Sequence, residues 1–244
     1  MHQRSQLEIV NMTTPREKLR IVNAADIATV YLYDMIGGWD GVQAGDFVQA
    51  LNALDVKHIN LRINSPGGSV FDGRAMATAI KAHPASVTAY VDGIAASAAS
   101  WIAIAADSVV MADGSFLMIH NAQAGVLGDR HSMLDMAGVL EQLDNSFISD
   151  YAAKTGKTAT EIGAWMDAET WFSAQQAVDL GFADKVETGK QASNHWNLTA
   201  YRNAPQELLA PAPTPNPAPT NTRATDDRRA LAEKRLALIE RLAA

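Results

Sequence analysis

The stretch Asp92-Gly93-Ile94-Ala95-Ala96-Ser97-Ala98-Ala99-Ser100 joins a β-rich run, Val87 to Val91, to an apolar run that continues to Ala106. The first run reads as a strand, and Ser97 to Ala106 reads as a helix. Ser97 sits at the junction, and its neighbours are all small. Two readings fit it. A serine nucleophile needs a proton acceptor, an exposed Oγ and room for a tetrahedral intermediate. A helix N-terminus supplies free N–H groups and partial positive charge near a developing oxyanion. The other reading is a small-residue helix packed closely on a neighbouring element. The G-x-S-x-G elbow of α/β-hydrolases is absent.

Upstream, the same alternation repeats. Ala28 to Met35 reads as a strand, Gly37-Gly38 breaks it, and Ala44 to Leu54 is amphipathic and helix-like. His58 to Asn64 alternates apolar and polar residues as a strand does. It runs into Asn64-Ser65-Pro66-Gly67-Gly68-Ser69, a tight turn before a helix over Asp72 to Ala82. Paired glycines after a strand let backbone approach a ligand and aim N–H groups at it. A purely structural turn would use the same letters.

Downstream come short strands at Ser108 to Met111 and Phe116 to His120, then a long helix, Asp129 to Thr155, with Gly138 its weak point. Thr160 to Met166 and Ala174 to Leu180 read as short helices. Strands alternating with helices predict an α/β domain with crossover connections. His120, ending an apolar strand, is either a satisfied edge residue or a general base for Ser97, since imidazole titrates near neutrality. The other five histidines form no H-E-x-x-H or similar metal pattern.

Composition narrows the function classes. The 244 residues are 48% hydrophobic and 19% charged, which suits a globular body of one large domain plus a tail. The absence of cysteine excludes disulfides, cysteine-ligated zinc, iron–sulfur clusters and a thiol nucleophile. A net charge of −7 argues against wholesale nucleic-acid binding. The longest apolar run, Ile94 to Ala106, is too short for a membrane span, and MHQRSQLEIV lacks a signal peptide's apolar stretch. The expectation is a soluble protein inside a cell.

Four segments follow from these patterns. Residues 1–25 read as a polar N-terminal arm and 26–190 as the main domain. Residues 191–222 read as a linker, because six of the nine prolines fall between Pro205 and Pro219. Residues 223–244 read as a charged helix with Leu231, Arg235, Leu238 and Leu242 on one side. Such a helix is either a frayed tail or the partner of another chain.

The glycine turn, the small-residue serine and the strand-ending histidine, in that order, resemble the ClpP-type serine proteases. A fourth piece extends the resemblance: Thr170-Trp171-Phe172-Ser173-Ala174-Gln175-Gln176-Ala177 followed by Leu180-Gly181-Phe182-Ala183-Asp184, with Gln176 where the family writes Glu. Gly37-Gly38-Trp39 and Glu169-Thr170-Trp171-Phe172 look like the ClpP-related head maturation proteases of tailed phages, and the Pro-rich tail fits a protease docked on a scaffold.

The resemblance implies a ClpP/crotonase-like α/β fold of repeated ββα units, followed by the linker and C-terminal helix. It implies a cofactor-free, ATP-independent serine endopeptidase that cleaves capsid and scaffold proteins in the host cytoplasm or immature phage head. A ring-shaped homo-oligomer is expected, with no nucleic-acid or membrane partner and no metal. Ser97 would be the nucleophile and His120 its base. The N–H groups of Gly68 and Ala98 would form the oxyanion hole, and Gly67, Ser69 and Val70 would pair with extended substrate. Counting back from Phe172 puts the family's third residue at Thr170, with Asp167 as the alternative. The competing functions are a housekeeping ClpP-type peptidase working with an AAA+ unfoldase, and an inactive binding or structural protein of the same fold.

Overall fold

The computed structural model describes residues 19–191 and 196–209. Most of the Pro-rich linker and the whole of the expected C-terminal helix, 223–244, lie outside the described residues. The strands are β1 (Leu19–Ala24), β2 (Ile27–Leu32), β3 (His58–Ser65), β4 (Ser86–Ala96), β5 (Ser108–Asp113), β6 (Phe116–Ile119), β7 (Thr170–Ser173) and β8 (Lys185–Gln191). The helices are α1 (Ala44–Asn52), α2 (Val70–Ala82), α3 (Ala98–Ile104), α4 (Arg130–Thr155), α5 (Ala159–Asp167), α6 (Ala174–Asp179) and the single turn α7 (Gln206–Leu209).

One sheet runs β1-β2-β3-β4-β5-β8, with β6 paired to β4 and β7 to β6. From β2 to β8 the neighbours along that path are parallel, while β1 lies antiparallel on β2 and β7 on β6. This is the expected ClpP-like α/β fold. Parallel strands are buried on both faces. Here burial alternates instead: Val30, Leu32, Ile59, Leu61, Ile63, Val87, Ala89 and Val91 are in the core, while Thr29, Tyr31, Asn60, Arg62, Thr88 and Tyr90 on the other face are half-buried.

β4 is the hinge of the topology. Its first half, Thr88 to Val91, pairs with β5, and its second half, Ile94 to Ala96, pairs with β6. One strand therefore divides between two parallel partners. The sequence-based strand stopped at Val91 because Asp92-Gly93 looks like a break. In the fold β4 continues to Ala96, and Gly93 is buried.

The helices end where their sequences say they should. Asp129 caps α4 by accepting from the Ser132 N–H, and Gly156 closes it with φ 70°. The helix runs unbroken through Gly138. Ser173 and Gln176 form a reciprocal capping box on α6, so Gln176 does there what a glutamate would do. α4 is anchored to the domain through Asp150, which accepts from Arg74 of α2 and from the Trp101 indole of α3, both at 2.7 Å. The Arg74 guanidinium lies 3.8 Å from the Trp101 ring centroid.

Two segment boundaries need correction. The N-terminal arm contributes β1, because its apolar residues at Leu19, Ile21 and Val22 extend the sheet beside β2. The segment assigned as linker from residue 191 begins inside the domain. Gln191 ends β8, and residues 196–209 pack on the body, with Leu198 buried. Compact chain therefore reaches Leu209.

A tight constraint next to the site is at Gly68, with φ 148°. A Cβ added there would lie 2.1 Å from the Ile36 carbonyl oxygen. Gly68→Ala should therefore destabilise the domain by at least ~2 kcal/mol through steric overlap and backbone strain. A urea denaturation series should show a lower midpoint at unchanged slope.

Candidate active site

Ser97 follows the last residue of β4 and precedes α3. Its backbone has φ 55° and ψ −127°, a left-handed conformation that is unusual for a side chain other than glycine. Such a turn costs on the order of 1–3 kcal/mol and is held only by its surroundings. The Ser97 N–H donates to the Met118 carbonyl at 2.9 Å, which ties the turn to β6. Serine at a helix N-cap ordinarily accepts from the first-turn N–H groups. Here no side-chain cap bond forms, and Oγ instead stands 2.7 Å from His120 Nε2.

The strand register brings this pair together. β4 and β6 are parallel, with Ala96 opposite Met118. Both chains leave the sheet at the same level, Ser97 just beyond one strand and His120 just beyond the other. Burial pushes the His120 imidazole below the ordinary histidine range, and the negative charge of Glu169 opposes that shift. The ring is thus neutral at pH 7 and able to accept a proton. Gln123 Nε2 lies 3.4 Å from Nδ1.

The third position departs from the sequence expectation. The Thr170 hydroxyl donates to the Trp165 carbonyl at 2.7 Å, so its hydrogen is directed into the body of the protein and away from the imidazole. Asp167 is exposed and accepts from Asn121 Nδ2 at 2.7 Å. The carboxylate whose charge acts on His120 is Glu169, which is 3% exposed. β7 lies antiparallel to β6 with Ile119 opposite Thr170, and one step further sets His120 across from Glu169. Glu169 has φ 49°, a second left-handed residue at the site. Counting from Phe172 placed the position one residue late. The signal available in the sequence was the carboxylate itself, at Glu169, beside the aromatic pair.

The glycine turn divides its backbone groups between two sides. Ile36 donates to the Gly67 carbonyl at 2.9 Å and accepts from the Ser69 N–H at 2.8 Å. The Ser69 hydroxyl caps α2 by accepting from Asp72 N–H. Gly67 and Ser69 are therefore structural, not substrate-facing, which corrects two of the expected binding residues. Strand alternation turns Gly68 the other way, and Gly68, Val70 and Ala98 line the cleft with Ser97 and His120. Gly67 serves close approach. A Cβ there would lie 2.7 Å from Ser97 Cβ and 3.0 Å from Ala98 N.

One group was not expected from the sequence. Tyr201 lies within the segment assigned as linker, yet it lines the same cleft. Its hydroxyl donates to the Pro66 carbonyl at 2.5 Å. Its ring stands edge-on to His120 and to Trp171, with centroids 5.7 and 5.6 Å away. Burial pushes the phenol up to about 12. The spacing of Trp196, Leu198 and Tyr201 in a polar stretch was the available sign that the chain still packs.

Among the described residues no group of three His, Cys, Asp or Glu side chains could hold a metal ion, and no helix is long and apolar enough to cross a membrane.

Comparison with known proteins gives a consistent answer. The family model for Clp protease matches residues 29–190. ATP-dependent Clp protease proteolytic subunit 1 of Corynebacterium jeikeium is 33% identical over 146 residues, covering 59% of this chain and 78% of that protein. The subunit 1 of Protochlamydia amoebophila is 31% identical over 169 residues, covering 66% and 81%. Among solved structures, a ClpP1 point mutant from Listeria monocytogenes superposes with a TM-score of 0.59 at 24% identity, over 66% of this chain and 92% of its own. With the ordered turn, serine and histidine of the sequence and a family match over most of the domain, the chain belongs to the Clp protease family.

Proposed function

We propose that the chain is a ClpP-type serine endopeptidase with Ser97, His120 and Glu169 as its reacting group. The observation that carries this reading is the 2.7 Å contact between Ser97 Oγ and Nε2 of the half-buried His120, at a serine that has given up its helix-capping role. Ser97 Oγ attacks the peptide carbonyl carbon and its proton passes to Nε2. The resulting oxyanion is held by the N–H groups of Gly68 and Ala98, the latter in the first turn of α3 where backbone donors have no helical partner. The C–N bond then breaks, and the imidazolium returns the proton to the leaving amine. Water, deprotonated by the same nitrogen, releases the acyl group. Glu169 stabilises the imidazolium through its charge. Substrate would lie extended along Gly68 and Val70.

Self-assembly belongs to the same reading. α4 buries only Phe147 and Tyr151 against the domain, while Met133, Leu134 and Val139 toward its N-terminal half are exposed, as are Val126 and Leu127 just before it. An apolar row on the far part of a 26-residue helix suits contact with another copy of the chain. A ring would enclose Ser97 and restrict access to unfolded polypeptide.

The named relatives are proteolytic subunits of ATP-dependent Clp proteases, and they favour the role of a peptidase working with an unfoldase over capsid maturation. The two stretches that suggested a phage maturation enzyme have local explanations. Gly37 and Gly38, at φ 64° and 71°, shape the turn that presents Ile36 to Gly68. Glu169 serves His120. Cleavage of capsid and scaffold proteins is thus the narrower alternative. Stimulation of casein degradation by an added AAA+ ATPase separates it from the ClpP-type role.

The following outcomes test the mechanism and assembly. A fluorophosphonate probe should label wild-type protein at Ser97. Ser97→Ala and His120→Ala should each abolish peptide cleavage, with little further loss in the double variant, because they act as one unit. Loss of labelling in neither variant would remove Ser97 from the mechanism. Glu169→Gln should lower kcat by roughly 10²–10⁴-fold, the range for a general acid–base arrangement deprived of one member. Activity needs neutral His120 and is lost as pH falls through its pKa. Removing the Glu169 charge lowers that pKa further, so the acid limb of the pH–rate profile should move to lower pH. Thr170→Val should leave that limb in place and cost only ~1 kcal/mol of stability, the value of its bond to Trp165. Sedimentation at micromolar concentration should give an oligomer, and Leu134→Asp should shift it toward smaller species.

A further inference from the structure

Residues 196–203 cross the catalytic cleft, and each of their anchors falls on a group that the proposed reaction uses or adjoins. The Trp196 indole N–H donates to Asn64 Oδ1, at the start of the glycine turn. Leu198 is 1% exposed and fixes the segment to the body. Tyr201 bonds to the Pro66 carbonyl, packs against the His120 ring and lines the cleft beside Ser97. The Asn203 N–H donates to Glu169 Oε1 at 2.8 Å, and its side-chain amide donates to the Ala168 carbonyl at 2.7 Å.

We infer that residues 196–203 are an autoinhibitory strap, which must leave the cleft before a polypeptide can reach Ser97. The inference rests on the serine-peptidase reading and adds a regulation to that site. Three physical points support it. First, the Tyr201 hydroxyl is fixed on the Pro66 carbonyl while its ring lies against His120, in the cleft that Ser97 also lines, so the side chain stands where a scissile peptide must sit. Second, the Pro66 carbonyl belongs to the same glycine turn as Gly68, along which an extended substrate is proposed to lie. Tyr201 therefore occupies an acceptor that an extended substrate would use for β-augmentation. Third, the ring fills space against His120 and Trp171 beside the nucleophile. The strap is joined to β8 by only a few residues, so its local concentration is high and closure needs no partner. Apparent activity is reduced by the fraction of molecules in which the strap is open.

The experiment compares full-length wild-type protein with Tyr201→Ala in rate of fluorophosphonate labelling, and follows amide hydrogen exchange of residues 196–203 in wild-type protein before and after labelling. Labelling should be about tenfold faster in Tyr201→Ala, and Tyr201→Phe, which keeps the ring and loses the hydroxyl, should fall between. Equal or slower labelling in a folded Tyr201→Ala protein would overturn the strap. The exchange measurement needs no variant. An adduct on Ser97 should displace Tyr201, and exchange at Asn203 should rise at least tenfold. Unchanged protection across 198–203 in the adduct would also overturn the strap. Absence of labelling at Ser97 in every protein, including Tyr201→Ala, would instead defeat the peptidase reading on which the strap depends.

Discussion

The division of β4 between two parallel partners is the constraint on which the site depends. Were β4 paired with β5 along its whole length, Ser97 would emerge beside β5 and far from any base. By passing from β5 to β6 near Asp92 and Gly93, β4 delivers Ser97 to the edge where β6 ends in His120. The left-handed turn at Ser97 is held by its N–H bond to Met118 of β6. Gly67 presses on the same turn from the other side, where a single added methyl would collide with it. Strain at the nucleophile is thus opposed by sheet pairing, and the site forms only when β3, β4 and β6 are all in register.

The electrostatics of the site follow from the same pairing. A histidine at the end of a buried strand loses solvent, which favours its neutral form and suits a base. The same desolvation would penalise the imidazolium formed during reaction. β7, antiparallel on β6, sets the buried Glu169 opposite to relieve that penalty. In the proposed mechanism, burial would supply the base and one carboxylate the stabilisation of its conjugate acid. A threonine hydroxyl could not do the second, since it carries no charge, and Thr170 is in any case bonded to Trp165.

Much of this was legible in the sequence because it rests on local chemistry. Alternation in residues 58–64, the Gly67-Gly68 pair, the small residues around Ser97 and the apolar run before His120 each declare a strand, turn or helix end. Four errors have one cause. β1, β7, the acid at Glu169 and the packing of Tyr201 are all decided by partners distant in sequence. Leu19–Ala24 is a strand because β2 has a free edge beside it. Thr170–Ser173 is a strand because β6 receives it. Glu169 and Thr170 are adjacent letters, and only the cross-strand register distinguishes the one facing His120. Tyr201 stands close to a proline cluster whose composition dominates any reading of the segment, and its contacts lie 81 residues away at His120 and 135 at Pro66.

The strap and the acid are coupled through Asn203. While the strap is seated, one Glu169 oxygen receives the Asn203 N–H and the Tyr201 ring lies against His120, so the acid and the base are engaged by the same eight-residue segment. Departure of the strap releases the two together. An arrangement in which only the cleft were blocked would leave Ser97 and His120 primed behind the obstruction, open to any small acylating agent. Engagement of the base and the acid at once would make the closed state slow toward small reagents as well as toward polypeptides. The enclosure expected of a ring limits which substrates arrive, whereas the strap acts on the chemistry itself within each subunit, before any ring has formed.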